Sequence, residues 1–130
     1  MKRILVVDDD AEVNEMLVNY LCDSGYSAQG VSDGKFVLPT LNASDYDLII
    51  LDLIMPEKEG IETIMALRNA ESAIPIIAIS GGGRTRPEAN LNIAQMLGAR
   101  YAFAKPVPLS TLLDAVKTCL HSNNSDQTAT

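Results

Sequence analysis

The feature that most constrains the fold is a run of four aliphatic residues, 48–51, enclosed between Asp47 and Asp52. A continuous apolar run of this length is typical of a strand that is buried on both faces, as in a parallel sheet. Pro56 and Gly60 follow the run and indicate a loop directly after the strand. Because ligands of open α/β sheets bind at the carboxyl ends of the strands, Asp52 lies where chemistry is expected.

Similar apolar runs alternate with helical patterns along the chain. The further strands are predicted at residues 4–7, 27–31, 74–79 and 101–104. Amphipathic spacing predicts five helices, and the clearest stripe is Leu109, Leu112, Leu113, Val116 and Leu120. This alternation predicts an α/β fold, a doubly wound five-stranded parallel sheet of the flavodoxin-like (βα)₅ type. For five such units we expect the strand order 2-1-3-4-5.

Individual residues predict where helices begin and end. Asp10 suits an N-cap, and Gly25 and Gly98 suit helix ends. Pro39 removes a backbone donor, so it predicts a short or kinked second helix. The residues expected to face the core are Phe36, Val37 and Leu41 in the second helix, and Ile61, Ile64, Met65 and Leu67 in the third.

Composition limits the classes of function. The 130 residues suffice for one domain, expected at residues 1–121, with a flexible tail at residues 122–130. The formal net charge of −7 argues against non-specific binding to nucleic acid or an anionic membrane, and it suits a divalent cation. No apolar run approaches the roughly 20 residues of a membrane span. We therefore expect a cytoplasmic protein, with Cys22 and Cys119 reduced because their spacing matches no metal or redox motif.

Polar residues follow four of the predicted strands at the point where each strand ends. Asp8 and Asp9 follow the first strand, and Asp52 ends the third. Ser80 follows the fourth strand, and Lys105 follows the fifth. Because the carboxyl ends of parallel strands meet at one edge, we expect these side chains to lie together.

The residue types at this edge indicate phosphate chemistry. Neighbouring carboxylates repel one another, and a hard divalent cation, Mg²⁺ or Mn²⁺, relieves that repulsion. Its remaining coordination positions would suit an oxygen-rich substrate such as phosphate. Lys105 and the Ser80 hydroxyl would contact phosphoryl oxygens, and Asp52 would attack the phosphorus to form an acyl phosphate.

Each of these residues also has an ordinary structural interpretation. Aspartates at strand ends are often helix N-caps, which is the interpretation we prefer for Asp10. Ser80 would then start a loop, and Lys105 would be a surface charge beside a turn. Coincidence is the weaker interpretation, because each residue follows a separate buried strand in the order that the site requires.

With these residues in place, the chain resembles the receiver domains of two-component response regulators from residue 4 to about residue 120. The matching motifs are Val7-Asp8-Asp9-Asp10, Asp52-Leu53-Ile54-Met55-Pro56 followed by Gly60, Ser80, Gly98-Ala99 and Lys105-Pro106. The resemblance implies that Asp52 accepts a phosphoryl group from a phosphohistidine on a sensor histidine kinase or a histidine phosphotransfer protein.

The resemblance also implies roles for the groups around Asp52. The metal ligands would be Asp9, Asp52 and the backbone carbonyl of Ile54, with Asp8 acting mainly through metal-bound water. The phosphoryl contacts would be Ser80, Gly81 and Lys105, and the peptide bond before Pro106 would be cis.

The sequence departs from the family at one position. Receiver domains usually carry Tyr or Phe three residues before the lysine, and this chain has Ala102 there. Strand alternation places Tyr101 and Phe103 on the other side of the sheet, so we expect the usual coupling of serine and aromatic to be absent. Ordering of the glycine loop at residues 81–83 is our substitute hypothesis. The arginines at positions 84 and 86 are expected to be solvated charges or partner contacts.

The resemblance implies a stand-alone receiver that acts by binding an unidentified protein, through the fourth helix and fifth strand. It would be a monomer or a phosphorylation-dependent dimer, and it would catalyse only its own phosphorylation and dephosphorylation. A phosphorelay intermediate or phosphate sink with little conformational output is the alternative. A phosphatase of the haloacid dehalogenase type is remote, because such enzymes carry an aspartate where this chain has Ile54. His121 is expected to be an exposed residue at a helix end.

Overall fold

A computed structural model of the protein describes residues 1–53, 60–70, 72–80 and 87–121, with residues 87–91 described by their backbone alone. Ile54, Gly81 and the tail at residues 122–130 lie outside the described residues, as do the glycine loop and the two arginines that follow it. The expectations about these residues therefore stay predictions.

Strands and helices alternate along the described chain. The strands are β1 (Arg3–Val7), β2 (Ser27–Val31), β3 (Leu48–Asp52), β4 (Ile76–Ser80) and β5 (Tyr101–Ala104). The helices are α1 (Ala11–Asp23), α2 (Val37–Ala43), α3 (Gly60–Asn69), α4 (Pro87–Met96) and α5 (Leu109–His121). The strands form one parallel sheet in the order β2-β1-β3-β4-β5, which confirms the predicted fold. None of the helices in these ranges is both long and apolar enough to cross a membrane.

The burial of the strands follows their apolar character. Every residue of β3 and β4 is buried, whereas β2, at one edge of the sheet, is only partly buried. Successive side chains point to opposite faces of the sheet, so there is a core on each side. One core packs against α1 and α5, and the other packs against α2, α3 and α4.

The predicted helix ends are confirmed. The Asp10 carboxylate caps α1 by accepting hydrogen bonds from the backbone N–H groups of Glu12 and Val13, at 3.0 and 3.2 Å. Gly25 follows α1 with φ of 100°, and Gly98 follows α4 with φ of 101°. Both lie in the left-handed region, where glycine lacks the steric penalty of other residues.

The second helix is short, as Pro39 predicted. A 3₁₀ turn over Gly34–Phe36 leads into α2, which has seven residues. Pro39 is the third residue of α2 and so lies in its first turn. Backbone N–H groups in the first turn have no partner within the helix, so the missing donor is tolerated there.

The predicted inward orientation is wrong for two residues. Phe36 is 42% exposed because it lies in the 3₁₀ turn before α2, where the Lys35 Nζ atom is 5.3 Å from its ring centroid. Met65 is 50% exposed. It follows the buried Ile64 by one position, which is about 100° around the helix axis. Thr63 is buried on the inward face instead.

Arg68 joins the end of α3 to the connection between α4 and β5. Its Nε and Nη2 atoms donate hydrogen bonds to the carbonyls of Leu97 and Gly98, at 3.0 and 3.2 Å. Its Nη1 atom donates to the carbonyl of Ser72 at 2.9 Å. One guanidinium therefore satisfies three carbonyls beyond the ends of two helices.

Gly60 allows α3 to begin directly against the end of β3. Its backbone N–H donates a hydrogen bond of 2.9 Å to the carbonyl of Leu53. A Cβ atom at position 60 would lie 2.5 Å from the Leu53 Cα atom and 2.7 Å from the Asp52 carbonyl oxygen. Since both are backbone atoms, any larger residue must displace the segment that carries Asp52.

We therefore expect Gly60→Ala to lower the free energy of unfolding by about 1–3 kcal/mol, the usual effect of overpacking. Urea unfolding measures this loss, and NMR should show shifted amide resonances for Asp52 and Leu53. Gly25→Ala is the matched control, because nothing lies within 4 Å of a Cβ atom there. Its positive φ should cost about 1–2 kcal/mol and leave those two resonances unchanged. Unshifted resonances in the Gly60 variant would contradict this account.

Candidate functional site

Asp52 is the last residue of β3 and is 5% exposed. It pairs with Ile79 of β4, and the next backbone N–H, from Leu53, donates to the Ile79 carbonyl at 2.9 Å. The ladder therefore continues past Asp52 and fixes its backbone. The Asp52 carboxylate therefore lies buried at the carboxyl edge of the sheet.

Asp8 and Asp9 reach the same edge from β1. Asp8 is 3% exposed, and its Oδ1 atom accepts a hydrogen bond of 2.9 Å from the backbone N–H of Asp10. Asp9 is exposed. Asp8, Asp9 and Asp52 each offer a carboxylate oxygen within 4.8 Å of the others. The structure thus brings together the three carboxylates that the sequence placed at this edge.

Lys105 supplies a positive charge to this cluster. Its backbone N–H donates to the carbonyl of Ser80 at 2.9 Å, which extends the pairing of β4 and β5. Its Nζ atom lies 3.3 Å from Asp52 Oδ2 and 3.4 Å from Asp8 Oδ2. The peptide bond between Lys105 and Pro106 is cis.

The charge state of Lys105 follows from these contacts. Burial lowers the pKa of Lys105, but the charges of Asp52 and Asp8, and the hydrogen bonds to them, together outweigh burial. The pKa therefore lies above its ordinary value of 10.5, and the side chain is an ammonium at neutral pH. Three carboxylates facing one ammonium leave two formal negative charges at the site.

This donor set fits a hard divalent cation. Mg²⁺ in proteins takes oxygen ligands, commonly one or two carboxylates with waters and a phosphate oxygen. Two of the three carboxylates are buried and fixed, and the exposed Asp9 leaves the cluster open to solvent on one side. The two uncompensated charges make binding of such a cation electrostatically favourable.

Ser80 ends β4 opposite Ala104 of β5 and is 1% exposed. Because β4 lies between β3 and β5, Ser80 is placed at the carboxyl edge between Asp52, which ends β3, and Lys105, which follows β5. Ile54 and Gly81, the other predicted contacts, fall outside the described residues.

The sequence interpretation missed Asn14, a half-buried residue in the first turn of α1. Its Nδ2 atom donates hydrogen bonds to the backbone carbonyls of Asp8 and Val31, at 3.0 and 2.9 Å. The sequence feature that could have identified Asn14 is its amide side chain, which lies four residues after the N-cap Asp10 and between apolar residues of the helix stripe.

Open space adjoins the carboxylates on both sides of α1. The β2-side cleft has a volume of about 530 Å³ and includes Asp9, Asn14, Glu15, Gly30 and Phe36 in its lining. The α5-side cavity has a volume of about 200 Å³ and includes Asp8, Met16, Ile79, Lys105 and Leu109. Asp8 lines both of these spaces, and the exposed Asp9 lines the β2-side cleft.

The side chains of β5 alternate between the two faces of the sheet, as predicted. Ala102 packs with the core against α3 and α4. Tyr101 and Phe103 pack with the core against α1 and α5, with ring centroids 5.8 Å apart and 13° between the planes. Neither aromatic ring of β5 lies on the face of Ala102.

Comparison with known proteins gives consistent matches. The family model "Response regulator receiver domain" matches residues 4–117. The response regulator MprA of Mycolicibacterium vanbaalenii is 32% identical over 98% of this chain and 54% of its own length. A receiver protein from Pseudomonas putida has a crystal structure with 31% identity and a TM-score of 0.83, covering 90% of this chain and 96% of that chain. TrrA from Thermotoga maritima, solved in complex with Mg(2+)-BeF, has 30% identity and a TM-score of 0.77, covering 92% of this chain and 100% of that chain.

These matches agree with the fold and with the position of the site. The chain spans about half the length of the curated relatives it matches, since it covers 54% of MprA and 46% of the regulatory protein VirG of Agrobacterium fabrum. The matched residues 4–117 contain the whole edge from Asp8 to Lys105. The chain therefore belongs to the response regulator receiver domain family of two-component systems.

Proposed function

We propose that Asp52 is the phosphoacceptor of this receiver domain and takes a phosphoryl group from a phosphohistidine. The observation that carries this proposal is the position of the buried Asp52 carboxylate, which lies in the cluster with Asp8 and Asp9 and 3.3 Å from the Lys105 ammonium. In the proposed site, the Asp52 carboxylate would be the nucleophile, and the Lys105 ammonium would offset the negative charge of the incoming phosphoryl group.

In the proposed reaction, an Asp52 carboxylate oxygen attacks the phosphorus of the donor. The bond between phosphorus and the imidazole nitrogen breaks, and its electron pair returns to the donor histidine. Lys105 would stabilise the phosphoryl oxygens as a point charge, and the Ser80 hydroxyl and Gly81 N–H would donate hydrogen bonds to them. The protein would act mainly through positioning and charge.

The proposed metal is Mg²⁺, or Mn²⁺, held by Asp9, Asp52 and the backbone carbonyl of Ile54, with Asp8 acting through water. Such an ion supplies charge neutralisation between the carboxylates and the phosphoryl oxygens. The likeness to TrrA, which was solved in complex with Mg(2+)-BeF, supports this choice.

The proposed donor is a sensor histidine kinase or a histidine phosphotransfer protein, and the proposed output is binding of a protein. The net charge of −7 favours a protein target over nucleic acid. We propose a cytoplasmic location, where the donor domain would meet this chain, and no turnover of external substrates.

A second candidate is a phosphorelay intermediate or phosphate sink, in which Asp52 passes on or drains phosphoryl groups. The observation that favours it is the small side chain of Ala102 on the face toward α3 and α4, with both β5 aromatics on the opposite face. Position 102 therefore offers no aromatic ring that could rotate to relay the state of Asp52.

Incubation with acetyl phosphate and Mg²⁺ should add the mass of one phosphoryl group to the wild-type chain and none to Asp52→Asn. Intact-mass spectrometry measures both. Asp114→Asn, which changes an exposed carboxylate on α5, is the control and should gain the same mass as the wild type. No added mass on the wild type, or equal mass on the wild type and Asp52→Asn, would contradict the proposal.

Amide hydrogen exchange should separate the two candidates. If phosphorylation drives output by ordering the glycine loop, exchange at residues 81–90 should slow when beryllium fluoride and Mg²⁺ are added. Asp52→Asn with the same additions is the control and should show no change. Identical exchange in the wild-type chain with and without the mimic would favour the relay or sink.

A further inference from the structure

Asn14 ties the first turn of α1 to the ends of two strands. Its backbone N–H donates to the Asp10 carbonyl at 2.9 Å, as expected within a helix. Its side-chain Nδ2 atom donates to the carbonyls of Asp8 and Val31, at 3.0 and 2.9 Å. Both hydrogens of one amide group are therefore used on the last residue of β2 and the first residue after β1.

The carbonyl of Asp8 belongs to the peptide that joins Asp8 to Asp9, so the bond from Asn14 fixes the plane between two of the clustered carboxylates. The other polar groups of Asp8 are also held. Its N–H donates to the Val31 carbonyl at 3.2 Å, and its carboxylate accepts from the Asp10 N–H and from Lys105 Nζ. The Asn14 amide is the donor to the Asp8 carbonyl, the remaining polar group of this residue.

Gly30 makes room for this arrangement. A Cβ atom on Gly30 would overlap the Asn14 Oδ1 atom, and it would come within 2.8 Å of the amide carbon. The Asn14 amide therefore occupies the space that a Cβ atom at position 30 would need. Asn14 and Gly30 form a complementary pair in the lining of the β2-side cleft, next to Asp8 and Asp9.

We propose that Asn14 is a positioning residue for the Mg²⁺ site. By holding the Asp8–Asp9 peptide it keeps both carboxylates turned toward Asp52, and Gly30 is required because a side chain there would push the amide away. Residues that orient metal ligands through hydrogen bonds commonly change metal affinity by roughly 10–100-fold when they are removed. The inference rests on the proposed function, since it assumes that this cluster holds Mg²⁺.

The test is the dissociation constant for Mg²⁺, measured by titrating MgCl₂ into the labelled chain and following its amide resonances by NMR. Asn14→Ala should weaken binding roughly 10-fold, at the lower end of the range for such residues. Alanine is a better helix former than asparagine, so α1 should remain folded. A purely structural role in the helix therefore predicts no loss of Mg²⁺ affinity.

Gly30→Ala tests the pair from the other side. In the wild-type background it should weaken Mg²⁺ binding about as much as Asn14→Ala does, because the new methyl group displaces the amide. In the Asn14→Ala background the methyl group has free space, so the second change should add less than about 2-fold. Additive losses in the double variant would overturn the pairing of the two residues.

Leu21→Val is the matched control, since Leu21 lies about two turns further along α1 and is buried in the core that packs against α1 and α5. It should leave the Mg²⁺ dissociation constant unchanged while lowering stability. An equal loss of affinity in Leu21→Val, or an unchanged affinity in Asn14→Ala, would overturn the inference alone. Absence of Mg²⁺ binding by the wild-type chain would overturn the proposed metal site, and this inference with it.

Discussion

The central physical constraint in this structure is the electrostatic repulsion among three carboxylates at one edge of the sheet. The buried strands β1 and β3 bring carboxylate oxygens of Asp8, Asp9 and Asp52 within 4.8 Å of one another. Lys105 offsets part of this repulsion. Apolar packing along β1 and β3 holds these charges together. Binding of a divalent cation would relieve the repulsion among the carboxylates, and the cation would in turn attract an anionic phosphoryl group. The proposed chemistry requires both effects.

The two faces of β5 carry side chains of different size. The face toward α1 and α5 is filled by large side chains, including both aromatics of β5. The face toward α3 and α4 has the small side chain of Ala102 in β5, and Arg68 fastens the far end of α4 to α3. These hydrogen bonds hold the chain that follows α4 close to the end of α3.

Much of the fold follows from the sequence, because strands that are buried on both faces are typically continuous apolar runs, and such runs alternate here with helical patterns. The edge residues Asp8, Asp52 and Lys105 were found from the same pattern, since each lies at the carboxyl end of a strand. Asn14 was missed because its role depends on the absence of a Cβ atom sixteen residues away, at Gly30, and a one-dimensional pattern carries no sign of that proximity. Met65 was placed wrongly because neighbouring helix positions differ by about 100°, which apolar spacing resolves poorly.

A crystal structure of the chain with Mg²⁺ and beryllium fluoride tests most directly whether Asp52 is the phosphoacceptor. We expect beryllium on an Asp52 carboxylate oxygen and a metal about 2.1 Å from oxygens of Asp9 and Asp52. We also expect the Lys105 ammonium to turn from Asp8 toward the fluorides. Beryllium on another residue, or a metal held away from these carboxylates, would contradict this expectation.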